Sequence, residues 1–341
     1  MTTREIPRRT VRSHELYGDF WFNSEPVLVS TLRGQVILVE FWDYTCINCL
    51  RTIPYIAEWH KRYKHLDLVV VGVHTPKYPF AQRPEEVQKA IERLGIAYPV
   101  VLDNQHVIAA NYENRFWPAL YLIDKEGFVR FQSVGEGNYQ QTEHAIQSLL
   151  YDAGVREELP VLMEAIREED RLGAVCYRAT PELFTGYTRG SIGNVEGYDP
   201  ESIVDYHDPG FYVEGRFYAD GPWMNDRNCL RLAETGTTGH ILVRYLGLEA
   251  NAVIKPEGET GFEVEIMQDD RFLSDENRGS DVLISENGKS SLVITEPRMY
   301  NLVRNKDFGE HTMKLSTSSK GFTLYSLTFV SCVIPETVSN N

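Results

Sequence analysis

The first half of the chain alternates short apolar runs with segments of helical periodicity. Apolar runs suited to strands lie at 36–42, 68–73, 99–102, 119–123 and 128–131. Helices are predicted from Ile47 toward Tyr63, from Pro84 to Leu94, over 105–112 and over 142–150. Continuous apolar runs are typical of strands buried on both faces, and their alternation with helices predicts an α/β domain.

The second half reads differently, because helical periodicity fades and short runs of β-forming residues recur between turns. These runs lie at 211–219, 241–246, 262–267, 282–284, 292–294 and 322–330. Asn287-Gly288 stands between the fourth and fifth runs and is a strong hairpin signal. The pattern predicts an all-β sandwich.

An acidic segment separates the halves. Leu159, Leu162, Met163 and Ile166 fit one face of a short helix. We therefore expect a domain at 1–152, a connector at 153–171 that packs against one domain, and a second domain at 172–341. A connector helix that binds a partner is the alternative.

Charge is divided unevenly between the halves. Residues 1–150 carry 16 Lys and Arg against 17 Asp and Glu, whereas residues 151–341 carry 18 against 32. The second half therefore has an acidic surface, which disfavours nucleic acid and anionic membranes as partners. No run has the length of a membrane span, and no signal peptide is recognisable at the N-terminus.

Two cysteines separated by two residues, Cys46 and Cys49, follow the first long apolar run. They stand where a strand is expected to give way to a helix, and the start of a helix favours a thiolate. Cys46 is therefore the candidate nucleophile, and Cys49 is placed to resolve the mixed disulfide. The predicted chemistry is reversible dithiol-disulfide exchange without a cofactor.

A zinc site is the alternative interpretation of this spacing. It requires a second pair of ligands, yet Cys176, Cys229 and Cys332 stand alone in the sequence. We therefore expect no metal. Scattered cysteines also do not indicate a disulfide framework, so a reducing, cytoplasmic location is expected, or an extracytoplasmic one if a signal was removed.

The residues around the dithiol resemble the thioredoxin superfamily. The resemblance rests on the apolar strand that contains Glu40, on Pro54 in the helix after Cys49, and on the segment Arg115-Phe-Trp-Pro-Ala-Leu-Tyr-Leu-Ile-Asp124. It implies a thioredoxin fold with an extra strand-helix insert and a cis-proline at Pro118. Trp117 and Pro118 would then shape a groove for an extended peptide, with Trp42 and Tyr44 flanking the dithiol as substrate contacts.

Glu40 has a chemical role in this interpretation. A carboxyl group in an apolar strand is costly to ionise, so its pKa should rise and allow proton exchange with Cys49. The superfamily usually has aspartate at this position. The alternatives are a Glu40 side chain that pairs with a lysine or turns to solvent.

A peroxiredoxin-like peroxidase is the competing enzyme class, because the strand-helix insert is also typical of that branch. Peroxiredoxins place a proline seven residues and a threonine three residues before the reactive cysteine. Those positions are Val39 and Asp43 here, which disfavours that mechanism.

The whole chain after residue 15 resembles the soluble part of the DipZ family. The motifs are Phe41–Pro54, Gly72-Val-His-Thr-Pro76, Leu102-Asp-Asn104, Trp117-Pro-Ala119, Gly135-Glu-Gly137, Thr180–Tyr187 and Glu296–Tyr300. The resemblance implies a thioredoxin-like domain followed by a jelly-roll-like β-sandwich similar to carbohydrate-binding modules. It also implies a disulfide-containing protein or small molecule as substrate and an external electron donor.

A glycan is a further expected partner of the sandwich, which would need exposed aromatic side chains for stacking. The candidates are Tyr187, Tyr198, Tyr212, Tyr218 and Trp223. Core positions are the alternative for these residues, and a domain that recruits a protein or shapes access to Cys46 is the alternative to glycan binding.

Overall fold

The computed structural model describes residues 2–6, 10–171, 173–234, 236–258 and 261–333. The chain forms two compact units, residues 1–170 and residues 171–341. Among the described residues, no helix is both long and apolar enough to cross a membrane.

In the described part of the chain, the first unit is a seven-stranded mixed sheet with four α-helices. Its strands are β1 (Thr2–Glu5), β2 (Trp21–Phe22), β3 (Val36–Trp42), β4 (Leu68–His74), β5 (Val100–Leu102), β6 (Ala119–Ile123) and β7 (Val129–Val134). Its helices are α1 (Ile47–Tyr63), α2 (Pro84–Leu94), α3 (Val107–Asn111) and α4 (Tyr139–Ala153).

The strand order is β1-β7-β6-β3-β4-β5-β2. Strands β3, β4 and β5 are parallel, whereas β6 is antiparallel to β3. All seven residues of β3 are buried, as its apolar run predicts for a central strand. This is the thioredoxin fold, and β5 with α3 forms the predicted strand-helix insert.

Helix ends follow the local sequence. Helix α2 begins at Pro84 with two glutamates in its first turn. It ends at Leu94, and the next residue, Gly95, caps it with a φ of 65°, the left-handed conformation that glycine adopts easily. Helix α1 contains Pro54 and runs to Tyr63, as predicted.

Residues 155–170 belong to the first unit but do not form the predicted amphipathic helix. The segment is irregular and ends in a single 3₁₀ turn at Glu168–Asp170. Side chains of the helices hold it in place. Glu143 accepts a hydrogen bond from the Met163 amide (2.6 Å), and Tyr55 Oη accepts one from the Ile166 amide (2.7 Å). Polar contacts to the backbone replace helix formation, because each backbone group needs a partner that the irregular segment itself does not supply.

The second unit is built from strands. They are β8 (Val175–Cys176), β9 (Leu183–Phe184), β10 (Ile203–Tyr206), β11 (Phe217–Asn225), β12 (Leu230–Leu232), β13 (Gly239–Pro256), β14 (Phe262–Gln268), β15 (Arg271–Phe272), β16 (Leu283–Ile284), β17 (Ser290–Ile294), β18 (Arg298–Thr317), β19 (Phe322–Val330) and β20 (Cys332–Val333). Eleven of them form one extended system, ordered β10-β11-β12-β19-β13-β18-β14-β17-β16 along its main path.

Two long strands organise this unit. Strands β13 and β18 pair along most of their length, with register shifts after Gly247 and Ala250. The first part of β13 also pairs with β11, and its last part pairs with β19, so β13 passes from one set of neighbours to another. These strands bury a large apolar core that includes Trp223, which is consistent with a β-sandwich.

The structure corrects several sequence expectations in this unit. The run at 211–219 contributes a strand only from Phe217, and the run at 241–246 is part of a strand that extends from Gly239 to Pro256. Strand β18 was not predicted, because its central residues are polar. The Asn287-Gly288 hairpin is confirmed: β16 and β17 are antiparallel across it, and Gly288 has a φ of 79°.

The expectation of isolated cysteines in the second half is wrong for two of the three. Cys176 on β8 and Cys332 on β20 lie directly opposite each other in an antiparallel pair and form a disulfide. The bond joins residues 156 positions apart in the sequence, so no spacing rule could reveal it. Cys229 is a free, buried cysteine.

Candidate active site

The dithiol lies at the junction of β3 and α1. Cys46 is the N-cap residue of α1, and its Sγ accepts a hydrogen bond from the Cys49 amide (3.4 Å). An N-cap side chain normally supplies an oxygen for this purpose, and here the cysteine sulfur accepts the same donor. Cys46 is partly exposed, whereas Cys49 is fully buried. The exposed sulfur is thus the one that a substrate can reach.

Cys49 needs a base before it can attack. Burial raises the pKa of the Cys49 thiol well above its ordinary value, and the hydrogen bond and charge of Cys46 raise it further. Cys49 is therefore a neutral thiol at physiological pH, and its proton must leave as the sulfur attacks.

Glu40 is a buried carboxyl group in the strand that leads to the dithiol. Its side chain is 0% exposed, and burial raises its pKa to about 8, against a lowering effect of a hydrogen bond from Tyr98. Tyr98 Oη donates to Glu40 Oε2 at 2.8 Å. Glu40 Oε1 has no hydrogen-bond partner among the described residues. The side chain therefore neither pairs with a lysine nor turns to solvent.

The peptide bond between Trp117 and Pro118 is cis. It lies beside the dithiol, because Cys46 Sγ approaches the Trp117 carbonyl oxygen at 3.9 Å. Trp117 is half-buried, and the preceding Phe116 is 66% exposed. Phe116 was not singled out from the sequence, and its exposure places an apolar ring next to the loop that approaches Cys46.

Trp42 and Tyr44 do not line a groove. Both are fully buried, which corrects the expectation that they contact substrate. They enclose His74 instead: the Tyr44 ring is stacked on it at 5.4 Å, and the Trp42 ring meets it edge-on at 5.0 Å. Their rings therefore form part of the buried packing beneath the dithiol instead of a substrate surface.

Asp43 and His74 form a buried pair that sequence reasoning missed. His74 Nε2 lies 3.7 Å from Asp43 Oδ1, and the carboxylate also accepts the amides of Thr45 (2.8 Å) and Lys77 (2.6 Å). Burial opposes ionisation of Asp43, yet His74 and the two amides together lower its pKa. One signal could have revealed this pair. Parallel strands β3 and β4 end side by side at Trp42 and His74, so the residue after Trp42, Asp43, lies near His74.

No group of three or more His, Cys, Asp or Glu side chains within the described ranges is arranged to hold a metal ion. The chemistry that the site offers is that of two thiols and a buried acid.

Comparisons with known proteins agree with this geometry. Residues 18–132 match the AhpC/TSA family, and residues 180–329 match the thioredoxin like C-terminal domain. The thiol-disulfide oxidoreductase YkuV of Bacillus subtilis (strain 168) is 30% identical over 125 residues, which cover 36% of this chain and 84% of YkuV. The chain belongs to the thiol-disulfide oxidoreductase family. The family member ResA of Geobacillus kaustophilus (strain HTA426) is also 30% identical, over 36% of this chain and 67% of ResA.

The expected resemblance of this chain to the soluble region of DipZ is confirmed. Protein DipZ of Mycobacterium tuberculosis (strain CDC 1551 / Oshkosh) is 40% identical over 213 residues, or 60% of this chain. These residues make up 30% of DipZ, so the chain spans under a third of that relative.

Proposed function

We propose that this thiol-disulfide oxidoreductase reduces disulfides through Cys46 and Cys49. The single observation that carries the proposal is their asymmetry: Cys46 is partly exposed at the first turn of a helix, and Cys49 is buried behind it. Such an arrangement separates an attacking thiol, which must meet the substrate, from a resolving thiol, which must not.

The reaction proceeds in two exchanges. The Cys46 thiolate attacks one sulfur of the substrate disulfide, the first substrate thiolate leaves, and a mixed disulfide forms. Cys49 then loses its proton to the Glu40 carboxylate and attacks Cys46 Sγ, which releases the second substrate thiolate. Two electrons pass to the substrate, and the Cys46–Cys49 disulfide must be reduced by a donor thiol before the next turnover.

The loop of Trp117 and Pro118 supports a peptide substrate. Its backbone carbonyl lies within 3.9 Å of Cys46 Sγ, so an extended chain whose disulfide reached Cys46 would run beside this backbone. The exposed ring of Phe116 adds apolar surface next to it.

The reduction potential of the Cys46–Cys49 pair tests the proposal. The reduced protein is equilibrated with glutathione buffers, and alkylated thiols are counted by mass. A potential near the roughly −270 mV of thioredoxin supports a reductase, and one near the roughly −120 mV of DsbA would show an oxidant instead. If these two residues formed no reversible dithiol-disulfide couple, the exchange mechanism would be refuted.

Peroxide reduction is the second candidate, because residues 18–132 match the AhpC/TSA family. The site disfavours it: Asp43, three positions before Cys46, directs its carboxylate oxygens to backbone amides instead of offering a hydroxyl to a peroxide. Hydrogen peroxide consumption by the reduced protein, compared with its rate of disulfide reduction, discriminates between the two.

The Cys176–Cys332 disulfide favours an oxidising compartment as the place of action. Such bonds persist where thiols are not kept reduced, and Cys176 is exposed to the solvent redox buffer. The expectation of a cytoplasmic location rested on unpaired cysteines, so it loses that support. Counting free thiols in protein purified without reductant, from its native host, tests the proposal.

Glycan binding remains the weaker proposal for the second unit. Tyr218 and Trp223 are buried in it and cannot stack on a sugar. The hydroxyls of Tyr187, Tyr198 and Tyr212 already donate to Glu201, the Thr185 carbonyl and Asp208. A glycan array probed with the full chain separates sugar binding from recruitment of a protein.

A further inference from the structure

The buried carboxyl group of Glu40 is held through only one of its oxygens. Tyr98 Oη donates to Oε2 at 2.8 Å, and Oε1 has no hydrogen-bond partner among the described residues. Tyr98 itself is fully buried in the loop between α2 and β5. A buried polar atom without a partner is costly, so its persistence calls for a functional explanation.

The sheet makes room for this contact. Glu40 on β3 is in register with Gly72 on β4. A Cβ atom at Gly72 would lie 3.2 Å from Tyr98 Cε2 and 2.9 Å from Trp42 Nε1. The missing side chain thus leaves the space through which the Tyr98 ring reaches Glu40. The Gly72 amide also donates to the Pro99 carbonyl at 2.8 Å, which anchors the loop that carries Tyr98.

The groups around this pair determine when the proton moves. Helix α1 contributes Cys49, whose charge acts on Tyr98, and His60, whose ring lies 5.9 Å from the Tyr98 ring. Asp43, which follows β3, contributes a charge that acts on Cys49. Burial and the charge of Lys64 lower the pKa of His60, so it is neutral at pH 7. Burial, Glu40 and Cys49 raise the pKa of Tyr98 well above its usual range, so Tyr98 stays a donor.

We propose that Tyr98 is a positioning residue for the proton transfer between Glu40 and Cys49. Its hydroxyl fixes Oε2 and leaves Oε1 to take the proton of the Cys49 thiol as Cys49 attacks the mixed disulfide. In the reverse direction Oε1 returns the proton to the leaving Cys49 sulfur. The inference rests on the proposed exchange function and assigns a specific residue to its second step.

Tyr98→Phe removes the hydroxyl and retains the ring. A hydrogen bond to a carboxylate favours its charged form, so its loss raises the pKa of Glu40 further. The carboxylate fraction at pH 7 then falls, by about tenfold for an upward shift of about one pH unit. We expect the resolving step to slow by about tenfold at pH 7 and its pH midpoint to rise by about one unit.

Reaction with 5,5′-dithiobis(2-nitrobenzoate) separates the two exchanges. Attack by Cys46 releases the first thionitrobenzoate, and attack by Cys49 on the mixed disulfide releases the second. Tyr98→Phe should slow the second phase and leave the first unchanged. Tyr63→Phe is the matched control, because Tyr63 also donates to a buried carboxyl group, Glu143 (2.7 Å), at the opposite end of α1. Its two phases should match those of the wild type.

Glu40→Gln completes the design. It should slow the second phase at pH 7 and remove the pH midpoint that the Glu40 carboxyl group gives it, and Tyr98→Phe added to it should have no further effect. If Tyr98→Phe reproduces the wild-type profile while Glu40→Gln changes it, Tyr98 has no positioning role. If the wild type releases only one thionitrobenzoate, the exchange function itself fails. Should Tyr98→Phe not fold, Gly72→Ala, whose Cβ atom would crowd both Trp42 and the Tyr98 ring, must shift the second phase in the same direction.

Discussion

The two pairs of cysteines that the fold brings together differ in origin and in surroundings. Cys46 and Cys49 are neighbours on one helical turn, and both are free. Cys176 and Cys332 lie 156 positions apart on two short paired strands, and they are joined. The first pair is a product of local structure and the second a product of tertiary structure, although both depend on the same sulfur chemistry.

The surroundings of the first pair affect its reactivity, whereas the second pair affects stability. The first pair follows a strand that carries a buried acid, Glu40, and the charge of the buried Asp43 carboxylate acts on Cys49. The second pair closes a loop that contains nearly the whole second unit. A cross-link of this kind restricts the unfolded chain, so it stabilises without taking part in turnover. We therefore expect substitutions at the two pairs to have effects that do not overlap.

The largest expected effect comes from removing the exposed thiol. Cys46→Ser should reduce disulfide reduction on the order of a thousandfold or more, because a serine hydroxyl is not ionised at neutral pH. In the Cys49→Ser variant, Cys46 should still attack the substrate, but the protein should remain trapped as a mixed disulfide with it. Both are measured by turnover of a disulfide substrate and by mass spectrometry, with Cys229→Ser as the control. Normal turnover by Cys46→Ser would contradict the assignment.

The second effect concerns stability. The double variant Cys176→Ser/Cys332→Ser should lower the free energy of unfolding by about 2–5 kcal/mol, since the cross-link closes a long loop. Denaturant unfolding under non-reducing conditions measures it. The potential of the Cys46–Cys49 pair should not change. A variant as stable as the wild type would show that the disulfide does not stabilise the fold.

A third effect is pH-dependent. The pKa of Glu40 is about 8 in the folded protein and 4.5 as its ordinary value, so between these pH values the unfolded chain releases a proton that the folded one retains. The free energy of unfolding therefore falls as pH rises through this window, by up to about 1.4 kcal/mol per pH unit. Glu40→Gln should flatten that slope in denaturant unfolding between pH 5 and pH 8. An unchanged slope would show that Glu40 does not retain its proton on folding.

The smallest effect is expected at the unpaired cysteine. Cys229 is buried, and burial followed by the charge of Asp226 raises its pKa to about 12. Iodoacetamide should therefore alkylate it much more slowly than Cys46 in the folded protein. Cys229→Ala should cost about 1 kcal/mol of stability and leave turnover unchanged. Alkylation of Cys229 as fast as that of Cys46 would contradict its burial.

Much of the first unit could be predicted from sequence, because its signals are local. Buried parallel strands are continuous apolar runs, Pro84 and Gly95 mark helix α2, and the spacing of Cys46 and Cys49 marks the dithiol. The connector misled the same reasoning, since an apolar stripe does not form a helix when side chains of the folded unit, such as Glu143, hold its backbone.

The second unit was harder to predict for a physical reason. Strand β18 carries polar residues along its middle, and its pairing with β13 is what makes it a strand. Strand pairing is non-local, so a chain segment does not contain the information that decides it.

Local sequence patterns were enough to predict the thioredoxin fold, the dithiol at a helix start and an acid in the strand before it. Three contacts depend on the folded chain and were not predicted: Cys176 meets Cys332, Tyr98 reaches Glu40 over Gly72, and His74 lies beside Asp43. Helix starts and buried strands are encoded by neighbouring residues. Contacts between distant residues depend on how the strands pair, and burial then sets the protonation of the groups that meet.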